Sequence, residues 1–147
     1  MVTMDVIAVP FTYNYLVQPE FTFMEVRGVL RTGPEGLVIE FRDHPVVAGV
    51  NPPHDRGVRS VAVPWDQVQS LALRDRFLRR PLLVLRVASM FAVAALPGVD
   101  GTEVAMVIAR ADRMLARHAA AEVEAAMAEH RLRTLGAGDE ASRLPPR

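Results

Sequence analysis

The hydrophobic pattern of this chain changes its period only once, near residue 111. Upstream, short segments alternate apolar and polar residues, and glycines and prolines separate them, as is typical of antiparallel strands. From about residue 111, apolar residues recur every three or four positions with charged residues opposite, which predicts one amphipathic helix. These apolar residues are Leu115, Ala119, Val123 and Ala126. Because parallel strands need long crossovers, a single helix after all the strands predicts an antiparallel meander.

The clearest local signal is a hairpin between residues 21 and 42. In 21–31, Met24, Val26 and Leu30 share one face of a strand whose other face is charged. The segment 37–42 alternates in the same way, and the turn between them contains Gly33-Pro34. Two paired strands are therefore predicted here.

Five further strands are predicted, at 58–63, 67–74, 82–88, 90–95 and 103–108. In 67–74, Val68 has the opposite parity to Leu71 and Leu73, which indicates a bulge near Gln69. Segment 43–57 is rich in proline and glycine and is predicted to be a long loop. The helix is predicted to end near Gly136, since glycine favours a left-handed cap.

Together these segments predict a seven-stranded antiparallel sheet that curls to hide its edges, with the C-terminal helix closing its mouth. A lipocalin-like barrel and an open α+β sheet are the second choices. Residues 1–20 are interpreted as an N-terminal extension that can add a strand. Residues 21–135 are interpreted as the domain, and 136–147 as a disordered tail.

Several sequence features occur in an order that resembles bacterial pleckstrin-homology-like (PH-like) domains of unknown function. They are Gly33 and Gly36 after the first strand, 61–68 entering strand four, Leu96-Pro97-Gly98, and 107–113 leading into an alanine-rich helix. The resemblance covers about residues 21–132. It implies a seven-stranded barrel capped by a helix, in a family that docks lipid headgroups, peptides or proteins and is very rarely enzymatic.

Within that family, phosphoinositide-binding members carry a basic signature on the first hairpin. Here the hairpin has both basic and acidic residues, which argues against inositol phosphate binding. The basic residues are Arg27, Arg31 and Arg42, and the acidic ones are Glu25, Glu35 and Glu40.

Composition excludes several classes of function. The 17 basic residues balance 17 acidic ones, whereas a nucleic-acid binder normally has a basic excess. The chain has no cysteine, and every basic residue is arginine, so thiolate and Schiff-base chemistry are excluded. Arginine-only usage points to a G+C-rich bacterial genome. No secretory signal is visible, and the longest apolar run, 87–99, is too short to span a bilayer, so we expect a cytoplasmic protein.

The most unusual local feature is an arginine-rich hairpin tip that also contains two apolar residues. Its candidate binding residues are Arg74, Arg76, Phe77, Leu78, Arg79 and Arg80, with Asp75 among them. One interpretation is a peripheral membrane contact, with arginines on anionic headgroups and the apolar pair in the interface. The alternative is a solvated turn whose Phe77 folds back onto the barrel.

The remaining polar clusters are weaker indications of a functional site. Asp43-His44 and His54-Asp55 flank the long loop and could converge on a metal, but an exposed loop explains them more simply. His118 and Glu122, four apart, are interpreted as an ordinary helical pair. We therefore predict no catalytic residues, no metal and no cofactor.

The predicted function is a non-catalytic interaction module that docks a protein partner or an anionic membrane surface. It would lie in the cytoplasm or peripherally at the inner face of the membrane, and homo-oligomers could form through strand edges or the end of the helix. The alternative is a β-barrel that binds a small apolar ligand, because small residues such as Ala92, Ala94 and Ala95 could leave a cavity. A metal-dependent enzyme using the long loop is the third hypothesis.

Overall fold

The computed structural model describes residues 6–18, 21–46 and 57–142, with side chains described as far as Gly136. The strands are β1 (Ala8–Val17), β2 (Thr22–Thr32), β3 (Gly36–Pro45), β4 (Arg59–Pro64), β5 (Val68–Arg76), β6 (Arg79–Val87) and β7 (Glu103–Val107). The long helix is α1 (Arg113–Ser142). Short 3₁₀ turns occupy Trp65–Gln67, Met90–Val93 and Arg110–Asp112.

The seven strands form one antiparallel sheet in the order β4-β3-β2-β1-β7-β6-β5. β1 pairs with β2 along its whole length and meets β7 where Thr12 lies opposite Val107. The predicted fold class is confirmed: the protein is mainly β with one C-terminal helix, consistent with a PH-like barrel that the helix caps.

The set of seven strands differs from the predicted set in one member. The prediction of a strand at 90–95 was wrong, because Met90–Val93 form a 3₁₀ turn. At the start of this turn, the Ser89 hydroxyl accepts a hydrogen bond from the Phe91 amide. The seventh strand is β1, in the segment assigned to the N-terminal extension. Its alternate residues Val9, Phe11 and Tyr13 are buried, so it contributes directly to the core.

Local signals in the other strands are confirmed. The β2–β3 hairpin forms in the register that places Leu30 opposite Ile39, both fully buried. The pairing of β5 with β6 shifts between Val68 and Ser70, which places the predicted bulge at Gln69.

The helix does not end at the predicted position. α1 continues through Gly136 to Ser142, so the prediction of a disordered tail from 136 was wrong for 136–142. Glycine inside a helix costs only about 1 kcal/mol relative to alanine, and it therefore permits a cap without enforcing one. Residues 143–147, and most of the predicted 43–57 loop, lie outside the described residues.

The core lies between the curled sheet and one face of α1. From the helix, Ala116, Ala119, Val123 and Met127 are buried, and α1 packs mainly against β5. Trp65, between β4 and β5, is buried and donates its indole N–H to the Pro34 carbonyl, as expected for a core anchor. This packing fixes where the N-terminal end of α1 meets the β5–β6 hairpin.

Candidate functional site

The β5–β6 hairpin brings all six predicted binding residues to one end of the sheet. Arg76 pairs with Arg79, and Phe77 and Leu78 form the two-residue turn between them. Phe77 is 88% exposed and Leu78 79% exposed. Phe77 therefore does not fold back onto the barrel, and two apolar side chains project from the apex.

The turn holds Leu78 in an unusual backbone conformation. Its φ is +56°, in the left-handed region that costs a residue with a β-carbon roughly 1–2 kcal/mol. Asparagine or glycine normally occupies such positions in two-residue hairpins. Leu78 therefore occupies this position at a cost in stability, as does Phe21, the other large exposed residue with a positive φ among the described residues.

The structure adds a second group of arginines that the sequence analysis missed. Arg110 donates from Nη2 to the Leu78 carbonyl at 3.2 Å. Arg113 donates hydrogen bonds from Nε and Nη2 to the Asp75 carboxylate at 2.8 and 2.9 Å. Arg117 donates a third to the same carboxylate at 3.4 Å. The only carboxylate within the hairpin tip is thus neutralised by the start of α1. Nothing in the local sequence signals this, since the partners are 32 to 42 positions apart.

We call this combined surface the basic tip. It comprises the exposed pair Phe77 and Leu78 and the arginines Arg74, Arg76, Arg79, Arg80, Arg110, Arg113 and Arg117. Two carboxylates, Asp75 and Asp112, accompany the seven guanidinium groups. An open groove of about 660 Å³ runs along it, lined by Arg76, Leu78, Arg79, Arg80, Val107, Ala109 and Arg110. No carboxylate lines the groove, so the groove can accept anionic groups.

The pH dependence of the Asp75 contact is the first testable property. The hydrogen bond from Arg113 holds the pKa of Asp75 below its ordinary value. Because the folded-state pKa is lowered, the contact stabilises the fold above the ordinary aspartate pKa, and this stabilisation is lost as pH falls through the lowered value. We expect Arg113→Gln to raise the Asp75 midpoint in an NMR titration of its carboxyl carbon.

Arg133→Gln is the control for that titration, because Arg133 pairs with Glu129 on a distant part of α1. It should leave the Asp75 midpoint unchanged. Equal midpoints in the wild type and Arg113→Gln would contradict the assigned contact.

Unlike most arginines of the basic tip, Arg27 and Arg31 on the β2–β3 hairpin each pair with a glutamate on the same hairpin. Arg27 pairs with Glu25, and Arg31 pairs with Glu40. Their charges are locally balanced, in contrast to the basic excess at the tip.

A buried polar network lies elsewhere, around Asp43. Its side chain is 1% exposed, and its carboxylate accepts hydrogen bonds from the Tyr15 hydroxyl at 2.8 Å and from Arg59 Nη2 at 2.5 Å. The Arg59 guanidinium also lies 4.8 Å from the centre of the Phe41 ring. Burial raises the pKa of the neighbouring Tyr13 phenol, which stays protonated and donates to the Pro97 carbonyl. These contacts join strands and loops within the barrel.

The metal hypothesis used Asp43, His44, His54 and Asp55. Asp43 is committed to Tyr15 and Arg59, while His54 and Asp55 lie outside the described residues. Among the described residues, no group of three or more histidine or acidic side chains could hold a metal ion.

The small residues that suggested a ligand cavity lie near the Met90–Val93 turn. Ala94 and Ala95 are exposed, and Ala92 is partly buried against the core. Ala94 and Ala95 therefore do not line the interior of the barrel.

No protein-family model, curated protein or solved structure matches the chain. Over the described ranges, no helix combines the length and the apolar composition that a bilayer span requires.

Proposed function

We propose that this protein is a non-catalytic docking module that binds an anionic lipid surface peripherally, at the inner face of the cytoplasmic membrane, through the basic tip. The observation that carries the proposal is the convergence of arginines from two distant segments around two exposed apolar side chains. The barrel capped by a helix supports a relationship to PH-like docking domains.

The energetics are sufficient for reversible binding. The basic tip has a net charge of about +5, and each basic side chain near an anionic surface contributes about 1 kcal/mol. Insertion of Phe77 and Leu78 into the interface adds about 2 to 4 kcal/mol. Together these contributions correspond to a dissociation constant in about the micromolar range.

The arrangement favours a lipid surface over an acidic protein partner. Phe77 and Leu78 stand at the apex of a convex hairpin, where they can enter the interface before the arginines around them reach the phosphates. A protein partner would instead be expected to bury such side chains in a complementary pocket. An acidic protein is therefore the alternative that the experiment must separate.

The test is sedimentation with vesicles of phosphatidylcholine alone or with added phosphatidylserine, at low and physiological salt. We expect the wild-type protein to bind only the anionic vesicles, and less strongly as salt increases. Arg79→Glu/Arg80→Glu should weaken binding at least about thirtyfold, because it removes two attractive charges and adds two repulsive ones. Phe77→Ser/Leu78→Ser should weaken binding at both salt concentrations.

The matched control is Arg27→Glu/Arg31→Glu, which changes the net charge equally on the β2–β3 hairpin. This control should retain most of the binding, and thermal unfolding should show that all variants are folded. Equal binding by the wild type and Arg79→Glu/Arg80→Glu, or no binding of the wild type to anionic vesicles, would overturn the proposal and favour a protein partner.

A further inference from the structure

Most arginines of the basic tip form no ion pair with any carboxylate in the part of the chain that the structure describes. They are Arg74, Arg76, Arg79, Arg80 and Arg110. Elsewhere, arginines such as Arg31, Arg86 and Arg133 each pair with a glutamate. Unpaired guanidinium groups are therefore concentrated at one end of the sheet.

The groove of the basic tip collects these unpaired arginines. All of them except Arg74 line its volume of about 660 Å³, and no carboxylate of the described residues lines it with them. Arg76 and Arg79 also lie directly opposite each other in the β5–β6 pairing. Like charges in such a cross-strand pair repel each other and destabilise the hairpin. An anion in the groove offsets this repulsion.

Backbone carbonyls hold two of the guanidinium groups in place without neutralising them. Arg76 donates from Nε to the Arg80 carbonyl at 2.9 Å. Arg110 donates from Nη2 to the Leu78 carbonyl at 3.2 Å. A guanidinium group has five N–H donors, so each of these arginines keeps further donors for a ligand. The groove thus offers oriented donors, which add geometric specificity to the attraction between charges.

We infer that the groove recognises lipids whose headgroup ends in a phosphomonoester, of which phosphatidic acid is the simplest. This inference rests on the proposed membrane function and specifies its ligand. A phosphomonoester carries a charge of about −1.5 to −2 at neutral pH and offers three strong acceptor oxygens. Arginine matches that geometry, because its planar group binds phosphate oxygens through two parallel N–H···O bonds.

The composition of the groove disfavours the other common anionic headgroups. Phosphatidylserine carries an ammonium group beside its carboxylate, and the groove offers arginines but no carboxylate to receive that ammonium. Phosphatidylglycerol lacks the ammonium, but its phosphodiester has a smaller charge and fewer free oxygens than a phosphomonoester. We therefore expect both lipids to attract the basic tip through surface charge alone.

The position of the groove favours a membrane lipid over a soluble phosphomonoester. Leu78 lines the groove and also stands at the exposed apex of the hairpin. When Phe77 and Leu78 enter the interface, the groove beside them lies near the lipid phosphates. A soluble phosphomonoester gains nothing from the burial of these apolar side chains, so we expect it to bind more weakly.

The experiment is sedimentation of the full chain with phosphatidylcholine vesicles that contain phosphatidic acid, phosphatidylglycerol or phosphatidylserine. The anionic fractions are adjusted until the three kinds of vesicle have the same zeta potential. We expect binding to phosphatidic acid to be at least about tenfold tighter, the factor that one additional charged hydrogen bond provides. Glycerol 3-phosphate, added at the concentration of the lipid phosphate, should not displace the protein.

Variants within the groove test the site itself. Arg110→Gln should remove the preference for phosphatidic acid over phosphatidylglycerol, because it deletes an oriented guanidinium group. Arg80→Gln should do the same while keeping the carbonyl to which Arg76 donates. The matched control is Arg74→Gln, which removes an equal charge outside the groove and should weaken binding to both lipids equally. Thermal unfolding would establish that the variants are folded.

The outcomes separate this inference from the proposed function. Equal binding to the three kinds of vesicle, or a preference that survives both Arg110→Gln and Arg80→Gln, would refute a phosphomonoester site but leave peripheral membrane binding intact. Displacement by glycerol 3-phosphate would refute the lipid assignment and favour a soluble ligand. Failure to bind any of the vesicles would contradict both proposals.

Discussion

Replacing Asp43 with alanine is expected to lower the free energy of unfolding by about 2 to 3 kcal/mol, because it removes a charge-assisted hydrogen bond to Arg59, whose side chain is 37% exposed and can be hydrated. The carboxylate is 1% exposed and also holds the Tyr15 hydroxyl, so two strands lose a shared contact. Urea denaturation followed by circular dichroism measures the change. Arg59→Ala should cost more, about 3 to 5 kcal/mol, because it leaves a fully buried carboxylate without its counter-ion.

An exposed ion pair provides the comparison. Glu103 pairs with Arg86 at 3.2 Å, and both side chains are about half exposed. Glu103→Ala should therefore cost less than about 1 kcal/mol. If Asp43→Ala cost no more than Glu103→Ala, the Asp43 network would not be an important source of stability.

Gly98→Ala is expected to destabilise the protein by about 2 to 5 kcal/mol, for two separate reasons. Gly98 has φ of +71°, a conformation in which alanine loses roughly 1 to 2 kcal/mol. An added β-carbon would also lie 2.2 Å from the β-carbon of Tyr15, so strand and loop must separate, at a cost of about 1 to 3 kcal/mol.

Gly101→Ala separates these two contributions. Gly101 also has a positive φ, +94°, but its added β-carbon would have no neighbour within 4 Å. Its cost should be only about 1 to 2 kcal/mol, from the backbone alone. Equal losses in the two alanine variants, measured by the same denaturation, would show that contact with Tyr15 adds nothing.

Local patterns predicted much of the sheet because strand formation follows period-2 alternation. The β2–β3 hairpin and the bulge at Gln69 were both accessible in this way, since each depends on residues close in sequence. The 90–95 segment failed because a short run of apolar residues fits a strand or a turn equally well. Pairing decides between them, and β1 occupies the sheet position instead.

The candidate site was also predicted only in part from the sequence. Phe77, Leu78 and the hairpin arginines were predicted, because an arginine-rich tip with two apolar residues is visible in seven consecutive letters. Arg110 and Arg113 were not predicted, because their role depends on where α1 docks. The pairing of Asp75 was missed for the same reason.

By itself, the sequence determined six of the seven antiparallel strands and the one helix, because periodicity, turns and a bulge are properties of neighbouring residues. Only the tertiary structure decided that β1 lies at the centre of the sheet and that the start of α1 neutralises Asp75 beneath the hairpin apex. It also decided which face of α1 remains uncovered. These features join residues far apart in the chain, and packing of the whole core selects such contacts.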